Sequence, residues 1–447
     1  MKKNRNYRYY RYDSPPVIVT TKRRNDVTTK IRRRRKERHD ICKKIHILAA
    51  LFFVLQTTGS RFEMICRIFA IFTILFLPLF FFADEVKEEA KKEKSPDTAV
   101  KEEKKEDEKD EKKLGFIAFP IAFYSSDTSA GFGASAVIHK EHYKDKFVSK
   151  SNSLALVFFY TLRNQMLSAN VGNLYWDNAN WHWKSKLVFK KYPTDFYGIG
   201  NDTKPSAHEV FEPFVFQFEN SINRRVWKSF YAGISLTQSY HKLLKKKKEG
   251  LAEAYFKNHR KNGFISGVGI RLSYDSTDDS FFPTTGSMAE IVWQYHPFWL
   301  GSQYSFSRVF IDGRTFVKIP IPKFESVLGF QLVFEGVNGN VPLSFLPTIG
   351  SKDIMRGYIG DRFRDNYMLA VQTEWRFPIY WRFGGTLFFA AGKVQHNFTD
   401  FIFRDIKYGG GFGIRVRLAK KKNINLRFDM GFTPEGYKFY FNLLEAF

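Results

Sequence analysis

The chain has 447 residues, a formal net charge of +26 at pH 7, 18% aromatic residues with 49 Phe, and a mean hydropathy of −0.35. A soluble core has no use for so many Phe beside so much Lys and Arg, so the composition argues against an ordinary soluble protein. A transmembrane β-barrel does combine apolar, aromatic positions that face lipid with polar positions that face a lumen.

The N-terminal part of the chain reads as a basic extension followed by a signal peptide. Residues 64–83 have a positive charge at Arg67, an apolar run and a small residue at the cleavage point, Ala83. Residues 1–63 precede them, and we interpret Met64 as the true start of the chain. The alternatives are an unusually long n-region of the signal peptide, or a cytoplasmic arm on an uncleaved anchor.

Two further features bound the class of protein. Residues 84–113 are mostly Glu, Lys and Asp and cannot bury an apolar face, which predicts a disordered linker. Both cysteines, Cys42 and Cys66, precede residue 84, so a chain processed there has no disulfide or thiol chemistry. The basic run of residues 30–44 has no binding fold beside it, so we expect no nucleic-acid partner.

Alternation of apolar and polar residues dominates residues 114–447. Clear examples are "GFISGVGIRLSYDS" (263–276), "LAVQTEWRFPI" (369–379), "FGIRVRLA" (412–419) and "NINLRFDMGF" (423–432). One face of each is bulky and often aromatic, whereas the other carries Gly, Arg, Asp, Glu or Gln. This pattern, in roughly fifteen to sixteen strand candidates, predicts an all-β fold: a transmembrane antiparallel β-barrel of about 16 strands.

The last twelve letters, "GYKFYFNLLEAF", suggest how such a barrel is directed to its membrane. One face of this segment is apolar, with Glu445 as the exception, and its members are Tyr437, Phe439, Phe441, Leu443 and Phe447. A final strand ending in Phe is the sorting signal expected of bacterial outer-membrane barrels. We therefore expect the protein in the outer membrane of a bacterial cell.

Several motifs together resemble one known family. "YDSTDDSFFPTTGSMAEI" (274–291) has an Asp-rich turn followed by Phe-Pro-x-x-Gly, and "IMRGYIGDRFRDN" (354–366) has Arg-Gly-Tyr in a long loop. "LAVQTEWRFPIYW" and "GGTLFFAAGKV" follow as two strands, and "GFTPEGYKFYFNLLEAF" as a closing hairpin. These stretches resemble the BamA/TamA superfamily, also called the bacterial surface antigen family, and the resemblance covers residues 114–447.

The resemblance implies a sixteen-stranded barrel whose long sixth loop folds back into the lumen. The loop motif is Arg356, Gly357 and Tyr358, and its Arg is expected to contact inward strand faces, as a latch on the loop. Family members that insert or secrete proteins carry periplasmic POTRA domains ahead of the barrel, whereas this sequence shows only the charged linker. The chain is therefore expected to be a short form without POTRA domains.

The expected partner of the loop arginine is missing. Family members usually have Asp in a Phe-x-Asp-x-Gly pattern, and Ala390 stands at that position here. A buried guanidinium without a counter-ion is costly. Glu374, on the polar face of the neighbouring strand, is our substitute counter-ion for Arg356, and Asp429 is the second choice.

Three functions remain open from the sequence. The first is assembly or translocation of outer-membrane proteins or lipids, through the lumen or through the seam between the first and last strands. The second is a passive or gated pore favouring anions, because alternation turns four basic residues inward: Arg271, Arg376, Arg415 and Arg427. The third is a structural, surface-exposed barrel.

No motif of enzyme chemistry is present, so we expect neither catalysis, nor a cofactor, nor a metal site. The expected partners are outer-membrane lipids, and beyond them periplasmic accessory proteins or unfolded outer-membrane proteins.

Overall fold

The computed structural model describes residues 115–125, 128–144, 149–245, 249–279, 282–321, 324–400, 404–419, 424–443 and 445–447. The extension, signal peptide and linker predicted for residues 1–113 lie outside the described residues. Within the described ranges, no helix is long and apolar enough to cross a bilayer.

Most of the described chain is β-strand. The strands are β1 Gly115–Ser125, β2 Ser129–Lys144, β3 Ser149–Thr161, β4 Met166–Trp176, β5 Trp181–Lys191, β6 Thr194–Phe196, β7 Glu209–Trp227, β8 Phe230–Lys245, β9 Gly263–Asp275, β10 Gly286–His296, β11 Phe306–Ile321, β12 Phe324–Gly339, β13 Thr348–Ile349, β14 Phe363–Arg364, β15 Tyr367–Tyr380, β16 Phe383–Gln395, β17 Lys407–Ala419, β18 Ile424–Thr433 and β19 Gly436–Leu443. Within the described residues there is one α-helix, α1 (Leu251–Asn258), and 3₁₀ turns lie at Phe298–Leu300, Leu343–Phe345 and Phe398–Asp400.

The long strands close into a barrel. The described residues form one sheet of seventeen strands, sixteen of them long. The seventeenth, the short β6, pairs with the first three residues of β7. Each long strand pairs antiparallel with the next along the chain, and β1 pairs with β19 to close the ring. Closure satisfies most of the backbone groups that an open sheet would leave unpaired in lipid, although the described parts of β1 and β19 pair at only two positions. The predicted sixteen-stranded antiparallel barrel is confirmed.

The two faces of the barrel follow the alternation seen in the sequence. Exposed apolar side chains such as Ile270, Phe412 and Phe428 point outward, whereas their neighbours Arg415 and Asp429 point inward and are buried. This arrangement places an apolar surface against lipid and charged groups in the lumen.

The two ends of the barrel differ in their connections. The end where β1 begins and β19 ends carries tight turns, such as residues 228–229 and 381–382. The other end carries longer loops, including 192–208, 246–262 and 340–366. Outer-membrane barrels have short periplasmic turns and long extracellular loops, so the tight turns mark the periplasmic end.

Loops at the extracellular end pack into an apolar cap. Its buried members are Phe196, Phe211, Ala252, Phe256, Ile265, Tyr304, Phe306, Val337, Val341, Leu343, Phe345 and Leu346. Glu209 fixes α1 within this cap, because its carboxylate accepts hydrogen bonds from the amides of Leu251 (2.6 Å) and Ala252 (2.9 Å) at the helix N-terminus.

Candidate functional site

Residues 340–366, here named the lumen loop, run from β12 to β15 and lie inside the barrel. The loop adds its own small hairpin, in which β13 pairs with β14. Its apolar side chains Met355, Tyr358 and Phe363 pack with Ala390 and Val394 of β16 in one buried cluster. A loop of this length with its own packing is typical of a functional segment rather than a simple connection.

Arg356 fixes the loop to the barrel wall. Its Nη2 donates to a Glu374 carboxylate oxygen on β15 at 2.6 Å, and its Nη1 donates to an Asp429 carboxylate oxygen on β18 at 2.6 Å. The guanidinium carbon also lies 3.6 Å from the ring centroid of Phe388 on β16. The side chain of Arg356 is only 1% exposed. The structure thus brings the loop arginine to both carboxylates that the sequence suggested as partners.

Ala390 does not leave the arginine unpaired. It lies in the apolar cluster beneath Met355 and Tyr358, where an aspartate would have to be buried among apolar groups. Glu374 and Asp429 supply two negative charges to the arginine from other strands.

Glycines let the loop backbone approach the wall closely. Gly357 has φ of 110°, a conformation that side-chain-bearing residues rarely adopt. Opposite it, a Cβ added to Gly431 of β18 would lie 2.7 Å from the Gly357 nitrogen and 2.8 Å from the Arg356 carbonyl carbon. Any side chain at residue 431 would therefore push the loop away from the wall.

Tyr440 of β19 holds the same point of the loop. Its hydroxyl donates to the Tyr358 carbonyl oxygen at 3.0 Å and accepts from the Gly357 amide at 3.1 Å. Tyr440 is fully buried. The last strand of the barrel is therefore tied directly to the loop motif.

The remaining inward arginines of this wall are paired as well. Arg376 donates to Glu374 at 2.8 Å, and Arg427 to Asp353 at 3.0 Å. Arg415 donates to Asp429 at 2.6 Å and to Glu445 at 2.7 Å. On the opposite wall, Nη2 of Arg271 lies 2.5 Å from a carboxylate oxygen of Glu290.

This pairing corrects the expectation of an anion-favouring lumen. Arg271, Arg376, Arg415 and Arg427 do face inward, but each has a carboxylate counter-ion. Alternation reports the face of a residue, whereas it does not report what lies across the lumen. These four arginines are therefore not the open positive charges on which the expectation of an anion-favouring pore rested, and the pore alternative is not favoured.

The C-terminal segment departs from the predicted shared face. Tyr437 is exposed on the outside, but Phe447 is buried inside the barrel and packs with Phe316 and Val327. Its carbonyl oxygen accepts a 2.7 Å hydrogen bond from Arg376. The reason is that β19 ends at Leu443, so the alternation does not continue to the last residue. The side chain of Leu443 lies outside the described part of the chain.

The Asp-rich turn between β9 and β10 is built on its carboxylates. Asp278 accepts hydrogen bonds from the Thr284 amide (2.8 Å), the Thr285 amide (3.0 Å) and the Thr284 hydroxyl. Burial alone would raise the pKa of Asp278, but these hydrogen bonds outweigh it and hold the pKa below its ordinary value. The turn brings the Phe282 ring to 5.4 Å from the Arg376 guanidinium carbon, at the periplasmic end of the lumen.

Some residues of the site were missed from the sequence. Tyr440 has the inward parity that alternation predicts, but nothing in the pattern distinguishes it from other inward tyrosines. Phe388 lies two residues before Ala390 in the Phe-x-Ala-x-Gly stretch, but nothing in the sequence indicates that its ring lies against Arg356. Glu445 interrupts the predicted apolar face, and this interruption is the sequence feature that could have indicated its ion pair with Arg415.

A closed barrel with an apolar outer face, paired charges inside and a loop fixed within its lumen defines an outer-membrane β-barrel protein. Residues 146–447 match the Omp85 superfamily domain. The chain therefore belongs to the Omp85 superfamily, and it is a protein of the bacterial outer membrane. The resemblance to BamA-type barrels is confirmed, and no POTRA domain lies within the described residues.

One solved structure shares this fold, and a second is similar at a lower level. The crystal structure of BamA from Haemophilus ducreyi lacking POTRA domains 1–3 matches at 14% identity, covers 74% of this chain and 70% of that chain, and gives a TM-score of 0.52. CdiB from Acinetobacter baumannii matches at 11% identity over 74% of this chain and 59% of that chain, with a TM-score of 0.47. No curated protein sequence matches the chain significantly.

Proposed function

We propose that this barrel acts in the assembly or translocation of outer-membrane proteins, through the seam between β1 and β19. The observation that carries the proposal is the shortness of that seam. β1 and β19 pair through Tyr124 with Phe441 and Ser125 with Tyr440, whereas β1 pairs with β2 along its whole length. No described residue of β19 pairs with the β1 segment from Gly115 to Phe123.

A strand edge with unpaired amides and carbonyls is a template for another strand. An incoming segment of an unfolded outer-membrane protein would add to β1 by β-augmentation and find its hydrogen-bond partners there. Membership of the Omp85 superfamily and the fold shared with BamA support this reading. Unfolded outer-membrane proteins, delivered by periplasmic accessory proteins, are the partners that this mechanism requires.

The contacts of Arg356 have a role in the same mechanism. Arg356 joins β15 and β18, and Tyr440 joins β19 to the loop, so these contacts keep one side of the seam in place. In this proposal the lumen loop is a latch that holds the wall firm while β1 moves. The outward residues Tyr437, Phe439 and Phe441 keep their proposed role as a sorting signal.

A disulfide across the seam tests the function. Tyr124→Cys with Phe441→Cys joins a directly paired position, and Cys42 and Cys66 are replaced by Ser in every strain. After depletion of the native protein, the oxidised seam variant is expected to fail to restore the amounts of outer-membrane proteins, and reductant is expected to restore them.

The matched control is Ile414→Cys with Phe428→Cys, a directly paired outward position between β17 and β18 that leaves the seam and the proposed sorting signal unchanged. It is expected to support wild-type amounts of outer-membrane proteins under oxidising conditions. An oxidised seam variant that also supports wild-type amounts would overturn the proposed function.

A further inference from the structure

The inward face of β1–β4 differs in character from the rest of the lumen. Its side chains include Phe123 of β1, Ala155, Val157 and Phe159 of β3, and Leu167 and Val171 of β4. We name these six residues the apolar wall. Ala155 pairs with Val171 and Phe159 pairs with Leu167, and the Phe123 ring packs against the Phe159 ring with centroids 4.9 Å apart. Between them β2 contributes Gly133 opposite Phe159 and the polar Ser135 opposite Val157. Lumen positions of outer-membrane barrels are ordinarily polar, so an apolar wall needs an explanation.

The lumen loop does not cover the apolar wall. Across the barrel, Glu374, Arg427 and Asp429 are 0%, 1% and 0% exposed beneath the loop. The six residues of the apolar wall all remain half-buried. Inward side chains that keep partial exposure line open space within the barrel. A contiguous apolar surface left open in this way marks a binding surface.

One margin of the apolar wall is the seam. Phe123 lies on β1 just before the two residues that pair with β19, and the β1 segment from Gly115 to Phe123 lies beyond that pairing. The apolar wall is therefore continuous with the part of the barrel where the bilayer has its nearest access to the lumen.

The other margin of the apolar wall is basic. In the β4–β5 ladder, Lys190 pairs with Leu167 and Lys186 pairs with Val171. Lys190 Nζ also lies 4.7 Å from the ring centroid of Tyr192. The one carboxylate directly opposite these lysines among the described β7 positions is Glu219, which faces Lys186. Asp361 of the lumen loop is also close enough to act electrostatically on Lys190, as are the cations Arg364 and Lys186. Asp361 itself pairs with Arg364 at 3.3 Å. Three cations against the two carboxylates Asp361 and Glu219 leave a positive charge beside the end of the apolar rows.

We propose that the apolar wall binds the acyl chain of an anionic lipid, whose phosphate lies at Lys186 and Lys190 and which enters from the bilayer through the seam. A polypeptide strand is a poorer occupant. β2, β3 and β4 are paired on both sides, so their backbones offer no hydrogen bonds to an incoming chain. Amides placed against the apolar wall would stay unsatisfied, whereas an alkyl chain has no polar groups to satisfy.

The dimensions suit this occupant. The rows run across the sheet from β1 to β5, four strand spacings of about 4.8 Å each or roughly 19 Å, and the apolar wall is about 13 Å wide along β3. A lipid tail can lie along these rows with its head at β5. The site does not depend on the proposed assembly function, because a resident lipid would bind whether or not the seam accepts protein strands.

Lipid retention by the purified full-length protein tests the site. The folded barrel in detergent is loaded with radiolabelled dioleoyl-phosphatidylglycerol and exchanged extensively into lipid-free detergent. We expect about one lipid to remain per barrel, and at least about fivefold less in Val157→Gln. The matched control is Val292→Gln, an inward substitution on β10 outside the apolar wall, which is expected to retain wild-type amounts.

The headgroup is tested separately. Lys186→Gln with Lys190→Gln is expected to reduce the preference for phosphatidylglycerol over phosphatidylcholine about fivefold, whereas Lys393→Gln on β16 leaves it unchanged. Free inorganic phosphate is expected not to displace the bound lipid, which separates a lipid site from a phosphate site. Displacement by phosphate, or equal retention by wild type and Val157→Gln, would overturn the proposal.

A second measurement uses the unaltered protein, so it does not depend on the folding of a variant. Phosphatidylglycerol with a photoreactive acyl chain labels both barrel faces, and β3 presents them alternately. We expect labels on the inward Val157 and Phe159 in addition to the outward Phe158 and Tyr160. Labels on outward residues alone would contradict a lipid in the lumen.

Discussion

Arg356 and Glu374 form an ion pair 2.6 Å long in which the side chains are 1% and 0% exposed. Asp429 lies at the same distance from the other terminal nitrogen of the guanidinium, so the loop arginine bridges β15 and β18. A buried ion pair is weak evidence for net stability, but removal of one partner leaves an uncompensated charge. The pair therefore acts mainly as a specific lock on the position of the lumen loop.

Arg356→Ala is expected to destabilise the barrel. The substitution removes one cation from a buried network in which Glu374 keeps Arg376 and Asp429 keeps Arg415, so we expect a loss near the lower end of the about 3–5 kcal/mol that a broken buried pair costs. The urea midpoint of the folded barrel in detergent, read from its heat-modifiable migration, measures the loss. Arg314→Ala on β11, which removes a more exposed arginine paired with Asp312, is the control and is expected to cost much less.

Gly431→Ala tests the close approach of the loop to β18. The added methyl would lie 2.7 Å from the Gly357 nitrogen, so we expect a cost of about 1–3 kcal/mol and faster proteolysis of the lumen loop. Gly313→Ala on β11 is the control, because its added Cβ has no atom within 4 Å. Equal proteolysis of the two variants would mean that the loop does not rest on Gly431.

Tyr440→Phe tests the tie between β19 and the loop. Loss of the hydroxyl leaves the Gly357 amide and the Tyr358 carbonyl without this partner in a buried place, at a cost of about 1–3 kcal/mol. Tyr437→Phe removes a hydroxyl on the exposed face of the same strand, and is expected to leave the urea midpoint unchanged. If both variants unfold at the same midpoint, the Tyr440 contact contributes nothing.

Phe447→Ala separates packing from sorting. Phe447 is buried beside Phe316 and its carbonyl meets Arg376, so we expect a loss of about 3 kcal/mol even when the barrel is refolded in pure detergent. Sorting requires cellular machinery that is absent from such a refolding experiment. A variant with wild-type stability in detergent but poor assembly in cells would assign Phe447 to sorting alone.

Alternation predicted the barrel, its strand number and the faces of Arg271, Glu374, Arg415 and Asp429, because a period of two depends on local sequence alone. The sequence ranked Glu374 before Asp429, but it could not show that Arg356 contacts both. Both contacts to Arg356 depend on the path of a long loop through the lumen, and strand parity carries no information about that path.

Two further features depend on tertiary placement in the same way. Phe447 is buried because β19 ends at Leu443. The apolar residues after Leu443 made the strand pattern look as if it continued to the last residue. The seam depends on register between the first and last strands, which are far apart in the sequence. Neither could be predicted from local pattern.

A double-mutant cycle on Arg356 and Glu374 tests the central claim most directly, namely that their pairing holds the loop to the wall. The urea unfolding free energies of wild type, Arg356→Met, Glu374→Gln and the double variant give the coupling between the two side chains. We expect a coupling of about 2 kcal/mol or more, since the two groups touch within one buried network. Single-variant losses that add to within about 0.5 kcal/mol would contradict the latch.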